Sequence, residues 1–234
     1  MSHKIGLLVI ATNKYIQFVP PLWESVKKHF LIDQDVTMFV FTDKGDELRS
    51  MIGQESQIEI LAQQHMAWPG STLFRYNIFN SASSALEKMD YLFYCDADML
   101  FVDSVGAEIL GDRVGTIHPG FFDKPRAAFT YETNRASKAF VAPSEGSVYY
   151  AGGFNGGNKT EYLQMCKVLS DNIAADYRHG TIAVWHDESH LNRYFIDNPP
   201  TVSLSPSYCY PESWDLAFTK RLLALDKNHK EMRA

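Results

Sequence analysis

Residues Tyr91–Met99 read YLFYCDADM, five apolar residues running into Asp96-Ala97-Asp98. An apolar run of this length reads as a strand buried on both faces of a sheet. In extended backbone, residues two apart project to the same side, so the two carboxylates face one spot. Hard oxygen donors at a strand end suit Mg2+ or Mn2+ and leave coordination positions open for diphosphate oxygens. Two acids in a solvated turn is the plainer reading. Against it stands the position, because open α/β sheets bind ligands at the carboxyl ends of their strands.

Outward from that strand, the first half alternates. Ile5–Ala11 reads as a buried strand, Pro20–Phe30 as an amphipathic helix, and Val36–Thr42 and Gln57–Leu61 as further strands. Ser71 or Thr72 caps a helix expected to run to about Lys88. This order predicts an α/β fold, a mainly parallel central sheet covered by helices. In the second half, Gly115–Gly120 and Ala127–Tyr131 read as short strands, and Val148–Phe154 runs into a glycine-rich stretch. Lys159–Ala175 and Trp185–Tyr194 read as helices, the latter ending before Asn198-Pro199-Pro200. With no repeat, low-complexity tract or linker, residues 1–234 are expected to form one domain.

The 234 residues carry a net charge of -6, which argues against a nucleic-acid or anionic-membrane surface. A metal ion and a few basic side chains still allow a phosphate site. Cys95, Cys166 and Cys209 form no CxxC pair and point to a reducing compartment. The run Ile5–Ala11 is too short to span a membrane and lacks a signal-peptide cleavage pattern, so the expected location is cytoplasmic.

Three further segments carry candidate chemistry. Trp185-His186-Asp187-Glu188-Ser189-His190 gathers titratable groups that are costly near a core and easier to understand as a site. His186 and His190, four apart, also allow a zinc hydrolase, although zincins place glutamate directly after the first histidine and Asp187 stands there here. A capped surface helix is the third reading. Tyr149–Gly157, YYAGGFNGG, lets backbone approach a ligand, but by composition reads first as a hairpin turn. His118-Pro119-Gly120 by itself reads as structural. No GxGxxG or GxxxxGK[ST] is present, so a nucleotide is not held in the Rossmann or P-loop manner.

Taken in order, these segments resemble the catalytic domain of glycosyltransferase family 6, which includes the blood-group A and B transferases and α1,3-galactosyltransferase. The resemblance runs through VFTD (Val40–Asp43), DYLFYCDADM (Asp90–Met99), GTIHPGFF (Gly115–Phe122) and AFTYE (Ala128–Glu132). It continues in YYAGGFNGG, AVWHDESHLN (Ala183–Asn192), LSPSY (Leu204–Tyr208) and KNH (Lys227–His229). It implies a GT-A fold and retaining α1,3 transfer of N-acetylgalactosamine or galactose from a UDP-sugar to a β-galactoside, such as a galactose-terminated oligosaccharide. Residues 1–100 would form mainly the UDP and metal half, and 101–234 mainly the acceptor and catalytic half.

By the same resemblance, Asp96 and Asp98 hold Mn2+, or Mg2+, against the diphosphate. Tyr15 packs near uracil, and Arg75 lies beside Asp96 and the donor sugar. Asp187 binds sugar hydroxyls, Glu188 is the candidate nucleophile, and Lys227 and Arg233 close over the diphosphate. His118 and Trp185 contact the acceptor, with Glu212 in place of a missing aspartate. Ala151 and Gly153 occupy the places that select the donor, flanking Gly152, and their small size favours N-acetylgalactosamine. The mammalian members carry an amino-terminal anchor that this sequence lacks, which suits a bacterial or phage-type member. Some bacterial members carry asparagines at the metal positions; both aspartates are kept here, so metal dependence is implied.

A glycosidase needs a proton donor because an alkoxide leaves poorly. A departing diphosphate is stabilised by a metal and cationic side chains instead, which leaves one carboxylate to explain. Glu188 either attacks the anomeric carbon or stabilises an oxocarbenium-like state. A sugar-binding module without turnover is the non-enzyme alternative, disfavoured by retention of Asp96, Asp98 and Glu188.

Overall fold

The computed structural model describes residues 2–228 and 231–232. Strand β1 (Lys4–Ile10) leads through a 3-10 turn to α1 (Val19–His29), then β2 (Asp35–Thr42), α2 (Gly45–Ile52) and β3 (Ile58–Ala62). Three short helices follow, α3 (Gly70–Leu73), α4 (Arg75–Ser81) and α5 (Ser83–Leu86), before β4 (Tyr91–Cys95) and β5 (Met99–Phe101). The second half contributes β6 (Val114–Ile117), β7 (Tyr150–Asn158), α6 (Lys159–Arg178) and α7 (His186–Asp197). Short strands β8 (Val202–Leu204), β9 (Tyr210–Pro211) and β10 (Leu222–Ala224) follow.

Seven strands form the main sheet in the order β3-β2-β1-β4-β7-β6-β8, and β5, β10 and β9 form a smaller one. In the main sheet β7 alone runs opposite to the rest, antiparallel to both β4 and β6. The mainly parallel, helix-flanked sheet is therefore the one expected. Its strands read as unbroken apolar runs because both faces are covered. Leu7, Val9, Phe93 and Cys95 enter the core on one face, and Leu8, Leu92 and Tyr94 the core on the other. Each such side chain contributes about 1.5–3 kcal/mol by leaving water.

Four expectations change. The helix expected from Ser71 to about Lys88 is broken at Phe74 and Ala82, whose ψ angles of 18° and 12° leave the helical region. The stretch is rich in Ser, Thr and Asn, whose side chains compete for backbone groups; Ser81 Oγ donates to the Ile78 carbonyl at 2.7 Å. Ala127–Tyr131 forms no strand, only a 3-10 turn at Arg126–Ala128. The expected turn in YYAGGFNGG is instead the central strand β7, and the Gly115 strand stops at Ile117. In β7, Gly156 serves close packing against β4: a Cβ there would lie 2.2 Å from Phe93 Cδ1 and 2.6 Å from the Leu92 carbonyl. No helix among the described residues is long and apolar enough to cross a membrane.

Because one of those clashes is with backbone, Gly156→Ala cannot be relieved by a rotamer change. It should destabilise by about 3 kcal/mol or more. Gly45→Ala, whose Cβ would meet Ile60 Cγ2 at an ordinary 3.4 Å, should cost far less. Urea denaturation of the two variants checks this.

Candidate active site

A cavity of about 320 Å³ opens at the carboxyl ends of β1 and β4 and is closed on another side by the start of α7. Strand β4 delivers Tyr94 to its wall and the turn after it Asp96 and Asp98, β7 delivers Gly152 and Gly153, and α7 delivers His186, Asp187 and Glu188. Tyr15, Arg75, Trp185 and Lys227, also nominated by the sequence, line it too.

Arg75, the first residue of α4, is 5% exposed and ties these walls together. Its Nη1 donates to the Gly152 carbonyl at 2.8 Å, Nε lies 2.9 Å from Asp187 Oδ2, and Nη2 lies 3.7 Å from Asp96 Oδ1. The Nε–H is not aimed along the short contact to Asp187, so that attraction is Coulombic rather than a formed hydrogen bond. The guanidinium also lies 4.2 Å from the centre of the Tyr94 ring. Burial works against its charge, but Asp187, Tyr94 and Asp96 outweigh that and hold it firmly protonated. Asp187, 1% exposed, is pushed up to about 6 by burial, with Arg75 pulling it down.

Glu188 is held at both oxygens. Oε1 accepts the Tyr149 hydroxyl at 3.0 Å and Oε2 the Gly152 N–H at 2.8 Å. Burial pushes its carboxyl up to about 7; the Gly152 N–H and Tyr149 pull down, while Asp187 pushes up. The carboxylate is thus fixed in direction and poised near neutrality, as a group with chemical work requires.

On the opposite side, Asp98 is buried and its carboxylate is paired with the Lys227 ammonium, which lies 5.6 Å from the Tyr15 ring centre. The Asp96 carboxylate accepts the Tyr94 hydroxyl, and its backbone N–H donates to the Gly153 carbonyl at 2.9 Å. Two hard carboxylates on one wall, one with a cation already against it, fit a divalent ion. Among the described residues no three His, Cys, Asp or Glu side chains gather into a metal cage. His186 lines the cavity against Trp68, whereas His190 is buried with its Nε2 3.6 Å from Asp176. The two histidines do not converge.

Ala151 is buried in β7 opposite Thr116 and does not reach the cavity wall. His118 and Glu212 also lie off the wall. Burial pushes His118 down to about 4, and its Nδ1 accepts the Gly120 N–H, so the neutral ring keeps its proton on Nε2. That ring lies 5.7 Å from Tyr149, the residue bonded to Glu188. Glu212 is exposed and accepts the Asp226 N–H at 2.9 Å. Arg233 and His229 lie outside the described residues. Sequence reasoning missed the lining residues Thr12 and His65, joined through Oγ1 and Nδ1 at 3.0 Å, and the Tyr149 contact. Thr12 was within reach, two residues beyond β1; His65 lies in a stretch without a pattern.

Comparison with known proteins accords with this geometry. The glycosyltransferase family 6 model matches residues 1–234. The chain belongs to that family. It is 36% identical to rat histo-blood group ABO system transferase 1, over 98% of this chain and 68% of that protein. It is 34% identical to chicken globoside alpha-1,3-N-acetylgalactosaminyltransferase 1, over 100% and 70%. An O-antigen biosynthesis glycosyltransferase of Escherichia coli matches at 25%, over 97% and 96%. This family 6 chain is thus a glycosyltransferase of the UDP-sugar-dependent kind expected, its mixed sheet is that of a GT-A enzyme, and the zinc-hydrolase reading falls.

Replacing Arg75 by Met leaves Asp187 buried without its counter-charge, which should cost about 3–5 kcal/mol at pH 8. The folded variant then holds Asp187 protonated further up the pH scale than the unfolded chain does, so stability falls as pH rises. The deficit should therefore be clearly smaller at pH 5.5 than at pH 8, measured by thermal melting at both.

Proposed function

We propose that this protein transfers N-acetylgalactosamine, and less efficiently galactose, from its UDP-sugar in α1,3 linkage to a galactose-terminated acceptor, with retention at the anomeric carbon. The observation that carries the reading is the convergence of Asp96 and Asp98 with Asp187 and Glu188, some ninety residues apart, on one cavity. The names of its relatives, an alpha-1,3-N-acetylgalactosaminyltransferase among them, support the linkage and the sugar. The three free cysteines support a reducing, cytoplasmic setting for a single catalytic domain.

In this reading the base stacks toward Tyr15, and the diphosphate lies along Asp96, Asp98 and Lys227. Those two aspartates would hold the divalent ion, Mn2+ first and Mg2+ second. Such an ion supplies charge neutralisation for the departing diphosphate. Lys227, now on Asp98, is placed to move to the phosphates; the family resemblance gives Arg233, outside the described residues, the same task. Arg75 and Asp187 grip the donor sugar. Glu188, oriented by Tyr149 and Gly152, meets the positive charge that develops at the anomeric carbon, by attack or by electrostatic stabilisation. His118 and Trp185 take the acceptor, Trp185 offering a ring that is 48% exposed. Glu212 acts from behind, by fixing the backbone that leads to Lys227.

Donor choice falls on Gly153 more than on Ala151. A Cβ at Gly153 would lie 3.0 Å from Asp96 Oδ2 and 3.4 Å from Cys209 Sγ. A larger residue there therefore presses on a metal carboxylate as well as on the sugar. A donor-by-acceptor screen with Mn2+, reading UDP release and product mass, tests the reading. N-acetylgalactosamine should lead, EDTA should stop turnover, and alanine at Asp96 or Asp98 should cost about a hundredfold or more in kcat/KM. Full activity in EDTA, or a strong preference for galactose, overturns the corresponding part.

Glu188→Gln should lower kcat strongly and leave donor KM nearly unchanged, because the lost charge acts on the transition state. A carboxyl that must be ionised and is pushed up to about 7 makes kcat/KM rise with pH through that region. The rise should vanish in Glu188→Gln. A kcat within about threefold of the parent with a raised KM would make Glu188 a binding residue.

A further inference from the structure

Glu132 closes the AFTYE stretch and takes no part in the chemistry above. It lies in the irregular segment between β6 and β7, yet it is only 6% exposed. Its Oε2 accepts the Val184 N–H at 2.7 Å, and its Oε1 accepts the Asn134 N–H at 2.7 Å. Val184 stands four residues before Glu188. The next amide, Trp185 N–H, donates to Oγ of buried Ser189 at 3.0 Å. His186 N–H then donates to the Ala183 carbonyl at 2.9 Å, and Glu188 N–H to the Trp185 carbonyl at 3.0 Å.

Within this tight turn, His186 has φ 52°, the left-handed region that disfavours any residue with a Cβ. A backbone kept there needs neighbours that over-determine it. From the turn, Asp187 is aimed at Arg75 and Glu188 at the Gly152 N–H. The Glu132 segment is itself anchored. The Glu132 carbonyl accepts the Val141 N–H at 2.9 Å. Asp176 of α6, also buried, accepts the Ser137 hydroxyl at 2.5 Å and the Lys138 N–H at 2.9 Å. The Asp176 carbonyl accepts the Thr181 N–H at 2.9 Å, on the way to the same turn.

We propose that Glu132 is a positioning residue for the transfer reaction: its buried carboxylate holds the left-handed turn at His186 and so sets where the carboxylates of Asp187 and Glu188 stand. This rests on the roles given above to those two residues. A carboxylate suits the task because it accepts from both amides and has no donor to misplace. Glutamine keeps one acceptor oxygen and turns an NH2 toward the other amide, losing one of the two bonds. Alanine loses both.

The test compares Glu132→Gln, Glu132→Ala, Ser189→Ala and Glu188→Gln with the parent enzyme. It measures kcat, calorimetric UDP binding with Mn2+, thermal melting, and amide hydrogen exchange across residues 183–188. Glu132→Gln should lose about tenfold in kcat and Glu132→Ala more, with the UDP Kd within about twofold of the parent. Exchange should rise at Val184 and Trp185 and stay unchanged in β1 and β4, which a general loss of stability would not produce. Ser189→Ala loosens the same turn one amide later and should show the same split, so it carries the test with Glu132→Gln if the alanine variant does not fold. Folded Glu132→Gln with kcat within about threefold of the parent overturns the proposal, as does a UDP Kd that rises as far as kcat falls. If Glu188→Gln keeps full kcat, the assigned role of Glu188 fails. If Glu188→Gln loses kcat and Glu132→Gln does not, only the positioning role fails.

Discussion

The buried guanidinium of Arg75 holds three separate stretches of chain in one place. It reaches the Gly152 carbonyl on β7, the Asp187 carboxylate at the start of α7 and the Asp96 carboxylate beyond β4. Asp187 would be costly so far from water without a cation, and a cation at that depth would be costly without its acids; Asp96, half-open to solvent, adds a weaker attraction. The fork of an arginine, unlike the single point of a lysine, serves a carbonyl and two carboxylates at once. The break at Phe74 is part of this arrangement, because it makes Arg75 the first residue of a new helix facing the sheet. An uninterrupted helix from Ser71 would present that side chain in a different direction.

Strand β7 is the second condition. It lies antiparallel between β4 and β6 and brings backbone rather than side chains to the cavity. The Gly152 carbonyl takes Arg75 and its N–H goes to Glu188, so one peptide group on each side of this residue links the cation to the Glu188 carboxylate. The Gly153 carbonyl in turn holds the Asp96 N–H. Fixed dipoles of this kind cost no reorganisation when charge develops in a reaction, which is the advantage of building a site on a sheet.

Much of the site was legible because strand periodicity carries direction. The strand YLFYC pointed to Asp96 and Asp98 at its carboxyl end, although Ala97 and Asp98 lie in a turn rather than in the extended backbone expected, and the unbroken apolar runs of β1, β2 and β4 announced a sheet covered on both faces. Local composition misled where burial outweighed it. The glycines of YYAGGFNGG suggest a turn, but they occupy a central strand, in which Phe93 and the Leu92 carbonyl leave no room for a Cβ at Gly156. His186 and His190 look like a metal pair by spacing, yet the left-handed backbone at His186 turns one toward the cavity while the other is buried against Asp176.

What the sequence determined by itself was therefore the parallel sheet, the two acids at the end of β4, the acidic pair on α7 and the family they belong to, since each is written in contiguous residues. Contacts between distant segments were decided only by the tertiary structure. These include the charge pairing of Arg75 with Asp187, the grip of Tyr149 and Gly152 on Glu188, the ammonium of Lys227 on Asp98, and the reach of Glu132 to the Val184 amide. Their energies come from burial, which strengthens every charge interaction and penalises every unpaired one, and burial is a property of the packed chain rather than of any stretch of it.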